Sequence, residues 1–303
     1  MNKTDVAILI PVHNGLSFTS GCLSNLYQQL GNTPTTEIDY HVIVIDDGSN
    51  DGTGEWIKAN YPQTILIEGD GNFWWSGGIN AGTRYALEQL QCGYILWWNN
   101  DISPASDYFI NLNKLIAAGD LEIAGSKIYY AHSPQLVWSM GGIFNTRNGR
   151  KYMTGMNEPD SVKFEKSYAA DWLPGMGTIL HRSVIGKIGL LDNENFPQYH
   201  GDSDFTFRAT LAGYHIRVFP QLRIWNDKSN SGLLHRNKFS LLLQSLHDVK
   251  SNYHFGKDLR FYRKYATSPL AYKTLAIKYC LYIGGFLKWR LLELFGFKKN
   301  QSL

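Results

Sequence analysis

Three short clusters hold most of this chain's capacity for chemistry. The first is Asp46-Asp47-Gly48-Ser49-Asn50-Asp51-Gly52-Thr53, which closes the apolar run ending in Ile43-Val44-Ile45. Paired carboxylates at the end of a buried strand can accept hydrogen bonds from a ribose or a base. The same residues equally suit a tight turn and a helix cap. The second is Asn99-Asn100-Asp101, after Trp97-Trp98. A carboxylate beside two amides is a hard-oxygen site for Mg2+ or Mn2+, which would neutralise charge on a departing diphosphate. Asp before Ile-Ser-Pro also fits a plain turn. The third is Tyr199-His200-Gly201-Asp202-Ser203-Asp204-Phe205, with Arg208 following. Two acids at a helix start suit the helix dipole. One can act as general base while the other pairs with Arg208; a capped helix with a surface ion pair is the plainer alternative.

These clusters need elements to hold them, and the pattern supplies alternating strands and helices. Strands are predicted at Val6 to Pro11, Tyr40 to Ile45, Thr64 to Ile67 and Tyr94 to Trp98. Helices are predicted at Leu16 to Leu30, Thr53 to Asn60 and Ile79 to Leu90. Such alternation predicts an α/β architecture with a mostly parallel sheet, whose ligands gather at the C-terminal strand ends. From Ile123 the pattern shifts to mixed short strands, Ile123 to Tyr130 and Leu136 to Phe144, then the segment Trp172 to His181 and a helix starting near Asp204. Beyond His235 the chain reads as helical, basic and aromatic. We therefore expect a first domain over 1–235 and a helical extension over 236–303.

A chain of 303 residues can bury one sizeable core and carry an appendage. Its net charge of +3 gives no sign of a nucleic-acid binder. Three widely spaced cysteines form neither a disulfide framework nor a zinc site and fit a reducing cytosol. Met1 to Asp5 lead directly into the apolar run from Val6, so no signal peptide is expected. A cytoplasmic location is expected, at the inner face of the membrane if the C terminus binds there. The uncharged run Tyr279 to Leu287 is too short to span a bilayer, which needs about 20 residues. Lys278, Lys288, Arg290, Lys298 and Lys299 surround Tyr279 to Leu287 and Leu291 to Phe297, a pattern suited to lying on an anionic bilayer. Packing on the domain, or in a homodimer, is the competing reading.

The order of the motifs is more specific than any one of them. Pro-Val-His-Asn after the first strand, Asp-Asp-Gly-Ser after the second, Gly-Gly-Ile-Asn-Ala-Gly before a helix, Asn-Asn-Asp after a later strand and Gly-Asp-Ser-Asp-Phe downstream form one series. That series resembles the family 2 glycosyltransferases, of GT-A fold, over about Val6 to Trp225. The resemblance implies that Pro11, Val12, His13, Asp47 and Ser49 line a nucleoside pocket, with Asn100 alongside. It implies that Gly78 and Asn80 close over base and ribose. Asp101 would hold Mn2+ or Mg2+, Asp202 would be the catalytic base, and Trp172, Gly175 and Gly177 would form the acceptor side.

The implied reaction is an inverting transfer from a UDP- or dTDP-linked sugar to a glycan or lipid-linked hydroxyl. The Asn-Asn-Asp variant looks most like the rhamnosyltransferase-type branch that builds bacterial surface polysaccharide. This sequence departs from the family at Asn99 and Gly201, where acids are usual. The region where relatives place a histidine metal ligand reads Ile224-Trp225-Asn226-Asp227, so either Asn226 or Asp227 would substitute, with His235 as the fallback, or the position is lost. These departures sustain one rival, a non-catalytic GT-A module that binds nucleotide sugar. A nucleotidyltransferase is disfavoured, because Pro11 to Thr19 carries no Lys or Arg for a triphosphate. The tryptophans of Gly71-Asn72-Phe73-Trp74-Trp75-Ser76 would either face the sugar or pack a loop on the core.

Overall fold

A computed structural model describes residues 3–34, 37–227 and 238–295. Its contacts divide into two units: the described residues up to 143 with 152–227, and residues 144–151 with those from 238 on.

The larger unit is built on one sheet. Strands β1 (Thr4–Val12), β2 (Ile38–Asp46), β3 (Ile65–Glu68) and β4 (Tyr94–Trp97) run parallel in the order β4-β1-β2-β3. Val6 to Ile10 are fully buried without alternation, as expected for a central strand covered on both faces. Val6, Ile8, Ile10 and Val12 join one apolar layer with Leu23 and Leu26 of α1 (Leu16–Asn32), Ile57 of α2 (Thr53–Asn60) and Leu112 of α4 (Tyr108–Ala117). Ala7 and Leu9 join the opposite layer with Ile79 and Ala86 of α3 (Trp74–Glu88), Val184 of α5 (Arg182–Ile188) and Phe205 of α6 (Gly201–Leu211). Helices thus cover both faces.

Beyond β4 the sheet becomes mixed. β6 (Ile123–Tyr130), β7 (Ser133–Ser139) and β12 (Thr178–His181) extend it by antiparallel pairing, and β13 (Arg217–Asn226) lies parallel to β6. The short β5 (Ile102–Pro104) pairs with β13, which places the residues after β4 beside the end of β13. The edge is completed by β10 (Glu158–Pro159), on β7, and β11 (Tyr168–Ala169), on β13.

Several boundaries depart from, or refine, the sequence expectation. α3 begins at Trp74 rather than Ile79, because the Asp47 carboxylate accepts hydrogen bonds from the backbone of its first turn. The run Leu136 to Phe144 splits into β7 and β8 (Gly142–Phe144), since Gly141 turns the chain at φ 82°. Of Trp172 to His181 only β12 is strand, because Gly177 takes φ 65°.

In the smaller unit, the tip of the hairpin joining β8 to β9 (Lys151–Met153) is held by α8 (Phe255–Tyr265) and α9 (Pro269–Leu294). The Tyr262 hydroxyl donates to Gly149 O and Thr274 Oγ1 to Asn148 O, while Phe144 meets Phe261 edge-on at 5.1 Å. Helix α7 (Phe239–Ser245) precedes α8. Ser268 caps α9, with Pro269 in its first turn. No helix among the described residues is long and apolar enough to cross a membrane.

Candidate active site

The parallel register of β4, β1 and β2 brings the turns after all three strands to one edge, with Leu9 beside Trp97 and Val12 beside Asp46. The first two turns are stitched together. Asn50 N–H donates to Asn14 Oδ1 at 2.8 Å, which fixes the amide so that Nδ2 faces His13 Nε2 at 3.0 Å. His13 Nδ1 lies 2.7 Å from Asp47 O, an acceptor, so the neutral ring carries its proton on Nδ1. Asn14 N–H donates to Ser49 Oγ, and Leu16 N–H to Asp51 Oδ2. Asn14 holds φ 50°, a left-handed backbone that asparagine tolerates.

Asp47 is buried, and its two oxygens collect the N–H groups of Gly71, Phe73 and Trp74 at 2.8–3.1 Å. It therefore serves as the anion at the N terminus of α3. Trp74 sits there at φ 55°, a conformation costly for a bulky residue and held by that carboxylate.

The turn after β4 carries the metal candidate. Asn100 Nδ2 donates to Thr19 Oγ1 at 3.0 Å. Asp101 Oδ1 is buried and accepts no hydrogen bond among the described residues. Burial pushes the Asp101 carboxyl up to about 6; the Asp227 carboxylate adds to this, while Asp101's own backbone and the Asn99 amide oppose it. Asp227 N–H donates to Asp101 O, so the end of β13 delivers Asp227 beside Asp101. His132 Nε2 lies 3.2 Å from Asp227 Oδ1. A buried carboxylate oxygen without a donor is expensive unless it takes a proton or a cation. Asp101 and Asp227 form an oxygen set that suits Mg2+ or Mn2+ with water and phosphate completing the shell. The described residues contain no group of three or more His, Cys, Asp or Glu able to hold a metal alone. Asn226 is buried within β13, and His235 lies outside the described residues.

One indole links this turn to Gly175 and the start of α6. Trp75 Nε1 donates to Asn99 Oδ1 at 3.1 Å. Its ring packs on Gly175 so closely that a Cβ there would come within 2.2 Å of Cζ2. Gly175 N–H in turn donates to Asp202 Oδ2 at 2.9 Å. Asp202 is half-buried in the first turn of α6. Asp204 is fully buried and binds Arg208 Nε at 3.0 Å, while that guanidinium also reaches Ile188 O and Leu190 O. The two acids thus have separate surroundings. Gly201 has a steric cause: a Cβ would lie 2.0 Å from Ser76 Oγ, which is bound to Phe196 O.

Four expected residues are engaged in close packing or buried hydrogen bonds. Gly78 lies against Pro11, where a Cβ would stand 3.1 Å from Pro11 Cβ. Asn80 is buried, with its amide spent on Leu191 and Asn193. Trp172 is buried against Gly142, and Gly177 against Ser126. Asn14, Ser76 and His132 were absent from the expected set. Asn14 carries a weak signal in Pro-Val-His-Asn; the other two are joined to the site only by folding.

The Glycosyl transferase family 2 model matches residues 7–169, and the chain belongs to that family. It is 24% identical over 244 residues to the probable glycosyltransferase YdaM of Bacillus subtilis, covering 74% of this chain and 50% of that protein. It is also 24% identical over 226 residues to the undecaprenyl-phosphate mannosyltransferase of Micrococcus luteus, covering 71% of this chain and 82% of the relative. Several curated relatives are longer, and the chain spans about half of the first. Among solved structures, the mannosyltransferase PcManGT from Pyrobaculum calidifontis, in complex with GDP-Man and Mn2+, superposes with a TM-score of 0.53 at 15% identity, over 97% of this chain and 85% of that one. The fold is accordingly GT-A.

Proposed function

We propose that this chain is a metal-dependent inverting glycosyltransferase of bacterial surface-polysaccharide synthesis. It moves a hexosyl or deoxyhexosyl group from a UDP- or dTDP-linked sugar to a hydroxyl of a glycan or lipid-linked acceptor. The observation that carries the reading is the Trp75 indole, which touches Asn99 beside Asp101 and packs on Gly175, the partner of Asp202. A metal-motif carboxylate and a candidate base are thereby set on either side of one side chain.

In this reading His13, Ser49 and Asn100 line the donor side, and Asp47 holds the loop that follows β3. Asp101 and Asp227 would hold Mn2+ or Mg2+, whose charge would stabilise the leaving diphosphate. Gly175 fixes the Asp202 carboxylate, which takes the acceptor hydroxyl proton. The acceptor oxygen then bonds to the anomeric carbon as the carbon–oxygen bond to the diphosphate breaks. A single displacement of this kind inverts the centre.

Asp202→Asn keeps the shape but cannot take the proton, so turnover should fall about 10² to 10⁴-fold with donor affinity unchanged. Radiolabelled transfer and calorimetric donor titration measure the two. Normal turnover by Asp202→Asn would remove Asp202 from the base role. Donor binding without turnover in wild type, against the full range of acceptors, would favour a binding module.

A further inference from the structure

Helix α9 has an unusual exposed side. It is 26 residues long, roughly 40 Å. Ala271, Leu275 and Tyr279 are buried, and Asp258 of α8 accepts from the Tyr279 hydroxyl and Lys278 Nζ. That side is a conventional packed face. The opposite side would ordinarily be polar. Here it carries Leu270, Ile277, Leu281, Leu287, Leu291 and Leu294, spaced three, four, six or seven residues apart and each between 47% and 82% exposed. Three cations, Lys273, Lys288 and Arg290, are exposed among them, and no exposed residue of α9 is acidic.

The charge of the unit narrows the occupant. Its described residues carry thirteen Lys and Arg against three Asp and Glu, although the whole chain has a net charge of only +3. A second copy laid on this stripe would bring an equally cationic surface against it, and its one α9 acid, Glu293, is already paired with its own Arg290 at 3.2 Å. An anionic surface with an apolar interior meets both demands. Apolar side chains enter the acyl boundary while Lys and Arg remain at the headgroups.

We propose that the exposed stripe of α9 lies in the plane of a bilayer rich in anionic lipid and holds the chain there. The proposal is independent of the transferase reading, and Asp202→Asn should bind vesicles as wild type does. The test is co-sedimentation of the full chain with phosphatidylcholine vesicles, with and without phosphatidylglycerol. Wild type should bind only the anionic vesicles, less as salt rises. Leu281→Asp combined with Leu291→Asp should weaken partitioning at least about tenfold. Lys273→Glu combined with Lys288→Glu should weaken it in the same direction. Both positions of each pair are exposed, so unchanged melting temperature and circular dichroism should accompany the loss.

Wild-type indifference to anionic vesicles would overturn the proposal. So would undiminished binding by the folded Asp variant. A dimer in light scattering that ignores vesicles, and that Leu281→Asp with Leu291→Asp converts to monomer, would assign the stripe to a second copy instead.

Discussion

At the residue scale, Asp101 is a carboxyl whose surroundings oppose its charge. Its carboxyl is raised from 3.8 to about 6, so the folded chain binds this proton more tightly than the unfolded chain does. The stabilising contribution is complete below the unfolded value and is lost as pH rises through the folded one. Without metal, the chain should lose up to roughly 3 kcal/mol between about pH 4 and pH 7 from this group. Asp101→Asn should flatten that part of the profile and melt higher than wild type at neutral pH without metal. It should also lose the melting-temperature rise that Mn2+ gives wild type. Thermal denaturation across pH, with and without Mn2+, checks both. A profile unchanged by Asp101→Asn would show that the carboxyl is solvated. Gly201 offers a steric counterpart. Gly201→Ala should destabilise by about 1–3 kcal/mol through its clash with Ser76 Oγ, and adding Ser76→Gly should recover most of it. Urea titration of the single and double variants decides this.

At the element scale, the start of α3 is the structural hinge of the site. A helix containing Gly77, Gly78 and Gly82 has weak intrinsic propensity. It persists because those glycines let it approach the sheet: a Cβ at Gly82 would lie 2.9 Å from Ile45 Cδ1. Its first turn is anchored by Asp47 from the turn after β2, the strand that pairs with β3. Asp47→Ala should therefore cost more than an ordinary cap loss of about 1 kcal/mol, because three backbone N–H groups lose one acceptor together. Asp47→Asn should recover part of the loss. If Asp47→Ala unfolds in urea like wild type, the carboxylate is not what sets the helix start.

At the scale of the whole molecule, the two units have cores of different kinds. The larger has apolar layers on both faces of a sheet, whereas the smaller relies on aromatic packing, as in Phe144 with Phe261 and Tyr253 stacked on Tyr282 at 3.8 Å. Nucleoside diphosphate with Mn2+ binds only the larger unit in our reading. Hydrogen exchange should then show protection rising at the strand ends near Asn14, Asp47 and Asp101, with the amides of α9 unchanged. Equal protection throughout would mean that the ligand stabilises the chain only globally.

Much of this protein was legible in its sequence. The apolar run Val6 to Ile10 lies in the strand expected over Val6 to Pro11, and α2 occupies the expected Thr53 to Asn60, because local apolar and helix patterning dictate both. The motif order carried the family and the GT-A fold, and the spacing of Asp204 and Arg208 carried their ion pair. Other features were decided only by the tertiary structure. Nothing local marks Trp74 as a helix start, because the stabilising carboxylate is 27 residues away. Gly201 looked like a lost acid until Ser76 stood against it, 125 residues earlier in the chain. Asp227 meets Asp101 because β5 pairs with β13, a register that neither segment encodes alone. Strand and helix periodicity report the neighbours a residue has along the chain, whereas charge, clash and coordination depend on neighbours that only folding supplies.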